Sequence, residues 1–191
     1  MNRPAHLLVI VIVAGLTLAS CGERSDVASS SKSAPPAASP APAAAPASAA
    51  APPYHATLEE GIAFAKPGYP DFVAKTEGIS ILEPFGHWTD GPIAAIEFKE
   101  PLPKKFDLVL QGAAFGPNID QPIKITIGSA SKDVTFDADL NKGPQTRRLA
   151  FSLDAPANRI EFLIPHPTQP SNGDLRGLGI ALVALKIEAP K

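Results

Sequence analysis

The sequence predicts an all-β fold, an antiparallel β-sandwich of jelly-roll type, over residues 54–191. Three observations lead there. Apolar and polar residues alternate with a period of two in several short segments, the pattern of half-buried strands. Gly, Pro, Asn and Asp clusters separate those segments at short spacing. No stretch of this region carries a long helical stripe, and no internal repeat is visible.

Taken in chain order, the first element is a short helix near Pro70–Thr76, with Pro70 in its first turn and Gly78 past its end. Strands follow. Phe106, Leu108 and Leu110 share one face; Ile123, Ile125 and Ile127 alternate with Lys124 and Thr126. Leu149, Phe151 and Leu153 alternate with Arg148 and Ser152, and Ile160, Phe162 and Ile164 with Arg159 and Glu161. Gly179 to Leu185 is apolar on both faces and reads as a central strand. Turns are expected at Gly116-Pro117-Asn118, Gly128-Ser129, Asn141-Lys142-Gly143 and Asn172-Gly173-Asp174. About eight strands at this spacing suit a sandwich with one core.

Two segments precede this domain. Residues 1–21 read as a lipoprotein signal peptide: Arg3 supplies positive charge, and Leu7 to Leu18 is an apolar run of twelve residues, too short for a spanning helix. It ends Leu18-Ala19-Ser20-Cys21, a bacterial lipobox, and Cys21 is the chain's single cysteine. Small residues let the backbone enter a peptidase site, and the thiol carries the lipid thioether. Two or three acyl chains on Cys21 anchor the protein stably to a membrane. Gly22 rather than Asp follows Cys21, which under the enterobacterial sorting rule favours the outer membrane over the inner. Residues 22–53 form an Ala/Pro/Ser-rich tether. From Ser33 to Pro53 every residue is Ala, Pro or Ser, too little apolar bulk to offset the entropy of ordering. In polyproline II form such a tether reaches roughly 100 Å at about 3.1 Å per residue.

Composition removes several functions. Residues 54–191 hold 14 Lys plus Arg and 17 Asp plus Glu with no basic block, so nucleic acid is not an expected partner. With no cysteine there, disulfides and thiolate metal sites are excluded, and no two of His55, His87 and His166 have metal-pair spacing. No nucleophile elbow, P-loop or dinucleotide fingerprint occurs, so neither a catalytic centre nor a cofactor is expected.

One stretch is unusual for plain core: Glu83-Pro84-Phe85-Gly86-His87-Trp88-Thr89-Asp90-Gly91. Two further polar clusters, Phe115-Gly116-Pro117-Asn118 and Asp174-Leu175-Arg176, are candidates for the same surface. The candidate ligand-binding set is Glu83, His87, Trp88, Asp90, Asn118, Asp174 and Arg176. In that reading Trp88 stacks on a sugar ring, Glu83, Asp90 and Asn118 bond hydroxyls, and Arg176 meets an acid or phosphate. In the competing reading Trp88 packs as core, Asp174 and Arg176 bond each other, and Glu83 and Asp90 cap their own loop.

These blocks carry a resemblance. With Pro101-Leu102-Pro103-Lys104-Lys105-Phe106-Asp107-Leu108, Ala114-Phe115-Gly116-Pro117-Asn118 and Asp174-Leu175-Arg176-Gly177-Leu178-Gly179-Ile180-Ala181-Leu182, in that order, the chain resembles an uncharacterised domain appended to bacterial envelope enzymes, including phosphoglycerol-transferase-like proteins and glycosyltransferases. The resemblance implies a non-catalytic β-sandwich accessory module and assigns no catalytic residue. His87 stands where the Gly-x-Trp element often has Arg.

Two functions follow as expectations: a lipid-anchored module that binds envelope glycan or supports a glycan-assembly protein, and a structural or protein-interaction lipoprotein. An exposed Trp88 beside polar groups favours the first. A buried Trp88 with an exposed apolar patch or open sheet edge favours the second.

Overall fold

The computed structural model describes residues 52–191; Cys21, the signal segment 1–21 and all but the last two residues of the tether 22–53 lie outside them. Ten strands alternate between two sheets: β1 (Ile62–Ala63), β2 (Val73–Glu77), β3 (His87–Asp90), β4 (Ile93–Phe98), β5 (Lys105–Ala114), β6 (Ile123–Ile127), β7 (Ala130–Val134), β8 (Gln145–Ser152), β9 (Arg159–Leu163) and β10 (Leu178–Glu188). One sheet has the order β1-β10-β5-β8, with β3 also paired to β10; the other is β2-β4-β9-β6-β7. Every strand pairing is antiparallel. The chain changes sheet at every step from β1 to β10 except β6 to β7, which is the weave of a jelly-roll-like sandwich and meets the expected fold class.

The alternation read from the sequence sets the core. Phe106, Leu108 and Leu110 of β5, Ile123, Ile125 and Ile127 of β6, Ile160 and Phe162 of β9, and Ile180 and Leu182 of β10 are buried together between the sheets. The Gly128-Ser129 turn joins β6 to β7; Gly128 has φ 58°, and Ser129 is not among the positive-φ residues, as a type II′ hairpin requires. β7 itself, Ala-Ser-Lys-Asp-Val, has no apolar alternation and is a strand because β6 offers it an edge.

The expected helix near Pro70–Thr76 is not formed. Val73–Glu77 is β2, paired with β4 from Val73 opposite Phe98 to Glu77 opposite Ala95. The physical reason is competition. Seven residues make a helix too short to repay its nucleation, β-branched Val73 and Thr76 favour a strand, and β4 has an open edge beside them. Phe72 stacks on Phe98 at 5.8 Å between centroids, and Glu77 reaches Arg159 of β9 at 2.7 Å, fixing the register. The helical structure among the described residues is limited to two short 3-10 turns, Gly116–Asn118 and Leu140–Lys142, both where turns were expected.

Candidate functional site

The Glu83–Gly86 segment is a tight turn closed in both directions, Glu83 N–H donating to Gly86 O at 2.7 Å and Gly86 N–H to Glu83 O at 3.0 Å. Pro84 takes the second position, whose φ proline presets, so Phe85 stands at the tip. Gly86 has φ 143°, and a Cβ there would lie 2.1 Å from the Leu182 carbonyl oxygen; only glycine lets the turn sit this close to β10.

β3 then runs along β10, with Trp88 opposite Ala181, and Ala181 opposite Ala113 of β5. Ile180 and Leu182 face the core, so by alternation Ala181 faces outward. Across the outer face the row is therefore Trp88-Ala181-Ala113, a large ring lying over two methyls. This is why β10 is apolar on both faces: its second face carries a small separate cluster of Trp88, Ala113, Leu178 and Ala181, with Phe85, Phe115 and Leu140 packed on it.

Trp88 is 8% exposed, so it is not the open stacking platform of the first reading. Its indole is wedged edge-to-face between Phe85, at 5.3 Å and 67°, and Phe115, at 5.5 Å and 69°. Those two phenylalanines are half-buried. Trp88 thus acts as a wedge between two rings that line a cleft of about 490 Å³, lined also by Glu83, Asp139 and Asn141. A groove at Pro101–Leu102 and Leu153–Pro156 holds about 310 Å³ and has no aromatic wall.

Of the seven residues singled out from sequence, the cleft brings together Glu83 and Trp88. The other five are engaged inside the fold. Asn118 is wholly buried, donating from Nδ2 to the carbonyls of Phe115 (3.1 Å) and His166 (2.7 Å) and accepting the His166 amide on Oδ1 (3.1 Å). It has no group left for a hydroxyl; it staples the 166 segment to the Phe115 turn. His87 points to the other side of β3, 7% exposed, donating from Nδ1 to Ser80 O at 2.7 Å and stacking on Tyr69. Asp90 accepts the Gly177 amide at 2.8 Å and ties the loop before β10 to β3.

Arg176 is the hub of a rim network. It donates from Nε to both oxygens of Asp174 (3.0 and 2.9 Å), from Nη2 to Asp174 Oδ2 (2.5 Å), and from Nη1 to Glu83 Oε1 (2.9 Å) and Ser80 Oγ (3.1 Å). The guanidinium hydrogen bonds hold the Asp174 carboxyl below its ordinary pKa, and hydrogen bonding from Asp174 raises Arg176 in turn against the cost of burial. Asp174 and Arg176 bond each other, as the competing reading had it, but the guanidinium also braces Glu83 at the mouth of the cleft.

Asp139 and Asn141 are the residues that sequence reasoning missed. The expected turn Asn141-Lys142-Gly143 is present, with Gly143 at φ 91°. Leu140 packs on the Trp88 cluster and so places its neighbours on the cleft wall. Asp139 precedes the 3-10 turn yet caps nothing; Oδ2 accepts from Asn141 Nδ2 at 3.2 Å, and Oδ1 is the buried side-chain polar atom without a partner among the described residues. An acid before a turn is too common a pattern to have marked it in sequence. Among the described residues, no group of three or more His, Cys, Asp or Glu is placed to hold a metal.

Residues 49–189 match the family described as a domain of unknown function, DUF7024, and the chain belongs to that family. Over 136 residues it is 33% identical to phosphoglycerol transferase I of Salmonella choleraesuis (strain SC-B67), covering 67% of this chain and 17% of that protein, and the same holds for phosphoglycerol transferase I of Salmonella typhi. The chain therefore spans under a fifth of the length of these relatives. Among solved structures it is similar to a mutant family 29 carbohydrate-binding module complexed with mannohexaose, at 13% identity and a TM-score of 0.44, covering 68% of this chain and 90% of that one.

Proposed function

For this member of the DUF7024 family we propose a non-catalytic glycan-recognition module, held at the bacterial envelope by lipid on Cys21 and displayed on the Ala/Pro/Ser tether. The observation that carries the reading is the cleft: two half-buried aromatic rings, Phe85 and Phe115, braced by Trp88 and lining it together with the acceptors Glu83 and Asp139 and the amide of Asn141. Aromatic walls with a few convergent polar groups are what a sugar ring needs, its C–H face meeting the rings and its hydroxyls the acceptors. The similarity to phosphoglycerol transferase I, of which the match covers 17%, agrees with a domain that serves an enzyme as an accessory. The test is a glycan array probed with the full chain, followed by titration of any hit. Binding lost in Phe85→Ala and Phe115→Ala supports the reading; an array blank at high protein concentration overturns it. For the anchor, metabolic labelling with a fatty-acid analogue is expected to mark the wild type and not Cys21→Ser.

A second reading has its own observation. Trp88 is buried, and Ile81 (73% exposed), Leu82 (42%) and Leu175 (82%) stand out on the segments joined through Arg176. That is the pattern expected of a protein-interaction lipoprotein. Cross-linking in cells that captures one partner in the wild type and not in Ile81→Asp/Leu175→Asp would favour it.

A further inference from the structure

The cleft has an electrostatic sign. Two of its wall residues, Glu83 and Asp139, are acids, and no Lys, Arg or His lines it. Arg176, the cation bonded to the cleft's Glu83, is occupied by Asp174 and by Glu83 itself. A group entering the cleft therefore meets carboxylate oxygens and no free cation. Asp139 adds a more specific feature. A buried carboxylate oxygen without a donor is costly, because it has given up water and received nothing. Its neighbours do not supply the missing bond: the Lys142 amide goes to the Asp139 backbone carbonyl, and the Asn141 amide group reaches Oδ2. The missing partner is a donor, and Asp139 is one of the residues that line the cleft.

From this we propose that Asp139 is the specificity-determining acceptor of the cleft, and that the cleft takes a neutral or amino sugar and rejects the same sugar once it bears an anionic substituent such as a phosphate ester. The inference rests on the glycan reading above and gives it a ligand class. A hydroxyl or ammonium group of the ligand draws the Asp139 carboxylate toward the cleft and donates to it. A charge-assisted bond of this kind is stronger than a neutral one, and an anion within several ångströms of two carboxylates is repelled.

The chain contains a single tryptophan, and it sits in this cleft, so its fluorescence reports ligand entry without a label. The experiment titrates the full chain, wild type and Asp139→Asn, with neutral gluco- and manno-oligosaccharides, their amino-sugar counterparts and their phosphorylated counterparts. The expected result is binding of a neutral or amino oligosaccharide, about tenfold or more weaker binding of its phosphorylated form, and a fall of about tenfold for the neutral ligand in Asp139→Asn with the anionic penalty reduced. The denaturation midpoint of Asp139→Asn is expected at or above that of the wild type, because the variant replaces a carboxylate that has one buried oxygen without a partner. Phosphorylated ligand bound as tightly as neutral ligand, or an unchanged affinity in Asp139→Asn, overturns this assignment while leaving the glycan reading in place. A midpoint several degrees lower overturns it too, by showing that the carboxylate holds the turn. A chain that binds no oligosaccharide of any class sinks the glycan reading itself.

Discussion

The two faces of β10 are built from the same few apolar residue types and do different work. Its inner face, Ile180, Leu182, Leu185 and Ile187, meets the opposite sheet and is sealed: none of the four is more than 3% exposed. Its outer face, Leu178 and Ala181, meets no sheet. It is covered by single rings, Trp88 of β3 in the middle with Phe85 from the turn before β3 and Phe115 from the turn after β5 beside it. A sheet covers a sheet without gaps because both are periodic. Three separate rings cannot, and what they leave open is the cleft. The same hydrophobic burial therefore gives stability on one side of the strand and a recognition surface on the other.

The largest expected effects test the sealed side and the wedge. Phe162, wholly buried opposite Ala94 and Ile125, should cost about 3–5 kcal/mol when cut to alanine. Trp88→Ala should lie at the lower end, about 3 kcal/mol, because Phe85 and Phe115 can collapse into part of the space. Denaturant midpoints measure both. A loss below about 1 kcal/mol for Trp88→Ala would show that the outer cluster adds little to the fold and would erase the proposed role of Trp88 as a wedge.

Next in size is Gly86→Ala. The added Cβ meets the Leu182 carbonyl at 2.1 Å and the residue keeps a φ of 143°, so the turn must move off β10 at a cost of about 1–3 kcal/mol. The turn carries Phe85, so this change should also shift Trp88 fluorescence. An unmoved emission spectrum in a destabilised variant would mean that Phe85 is not held by the turn.

How much of this was legible before the structure follows from the same two faces. Period-two alternation finds residues that face a partner sheet, and it marked β5, β6, β8 and β9; β10 was marked instead by a run apolar on both faces. It is silent on rings that pack on the outer face, so Trp88 could be read as platform or as core, and the structure has it as a buried wedge on β3 whose half-buried neighbours Phe85 and Phe115 line the cleft. Asn118 and His87 looked like ligand donors because Asn and His in a loop carry free hydrogen-bonding groups; here the fold consumes those of Asn118 and of His87 Nδ1. The Pro70–Thr76 segment has local signs of a helix, and the open edge of β4 overrode them.

A smaller effect separates stability from recognition outright. Phe85→Ala and Phe115→Ala each remove a half-buried ring and should cost about 1–2 kcal/mol, less than a core phenylalanine. Glycan affinity should fall about tenfold or more in each, while Phe162→Ala, studied where it is still folded, should bind as the wild type does. Equal binding losses in all three variants would mean that the affinity merely follows stability.

The smallest effect uses acid. On the second sheet, hydrogen bonds from Lys75 and then Arg159 hold Glu77 at a pKa of about 2 instead of 4.5. At the cleft rim the hydrogen bond from Arg176 likewise holds Asp174 below its ordinary value. A carboxyl with a depressed folded-state pKa contributes stability that is complete above its unfolded pKa and is lost as pH falls through the folded value. For Glu77 that window runs from about 4.5 down to about 2. Both groups are open to solvent, so the contributions are small and screened by salt. The melting temperature of Glu77→Gln should lie slightly below the wild type at neutral pH, and the gap should close as pH falls across that window. Asp174→Asn should show a similar closing gap, and it alone should alter Trp88 emission, because it removes one of the two carboxylates between which Arg176 braces Glu83. A gap that stays constant down to pH 2 would show that the ion pairs do not act through these carboxyls. Emission altered equally by both variants would show that the cleft responds to global loosening, not to its own rim.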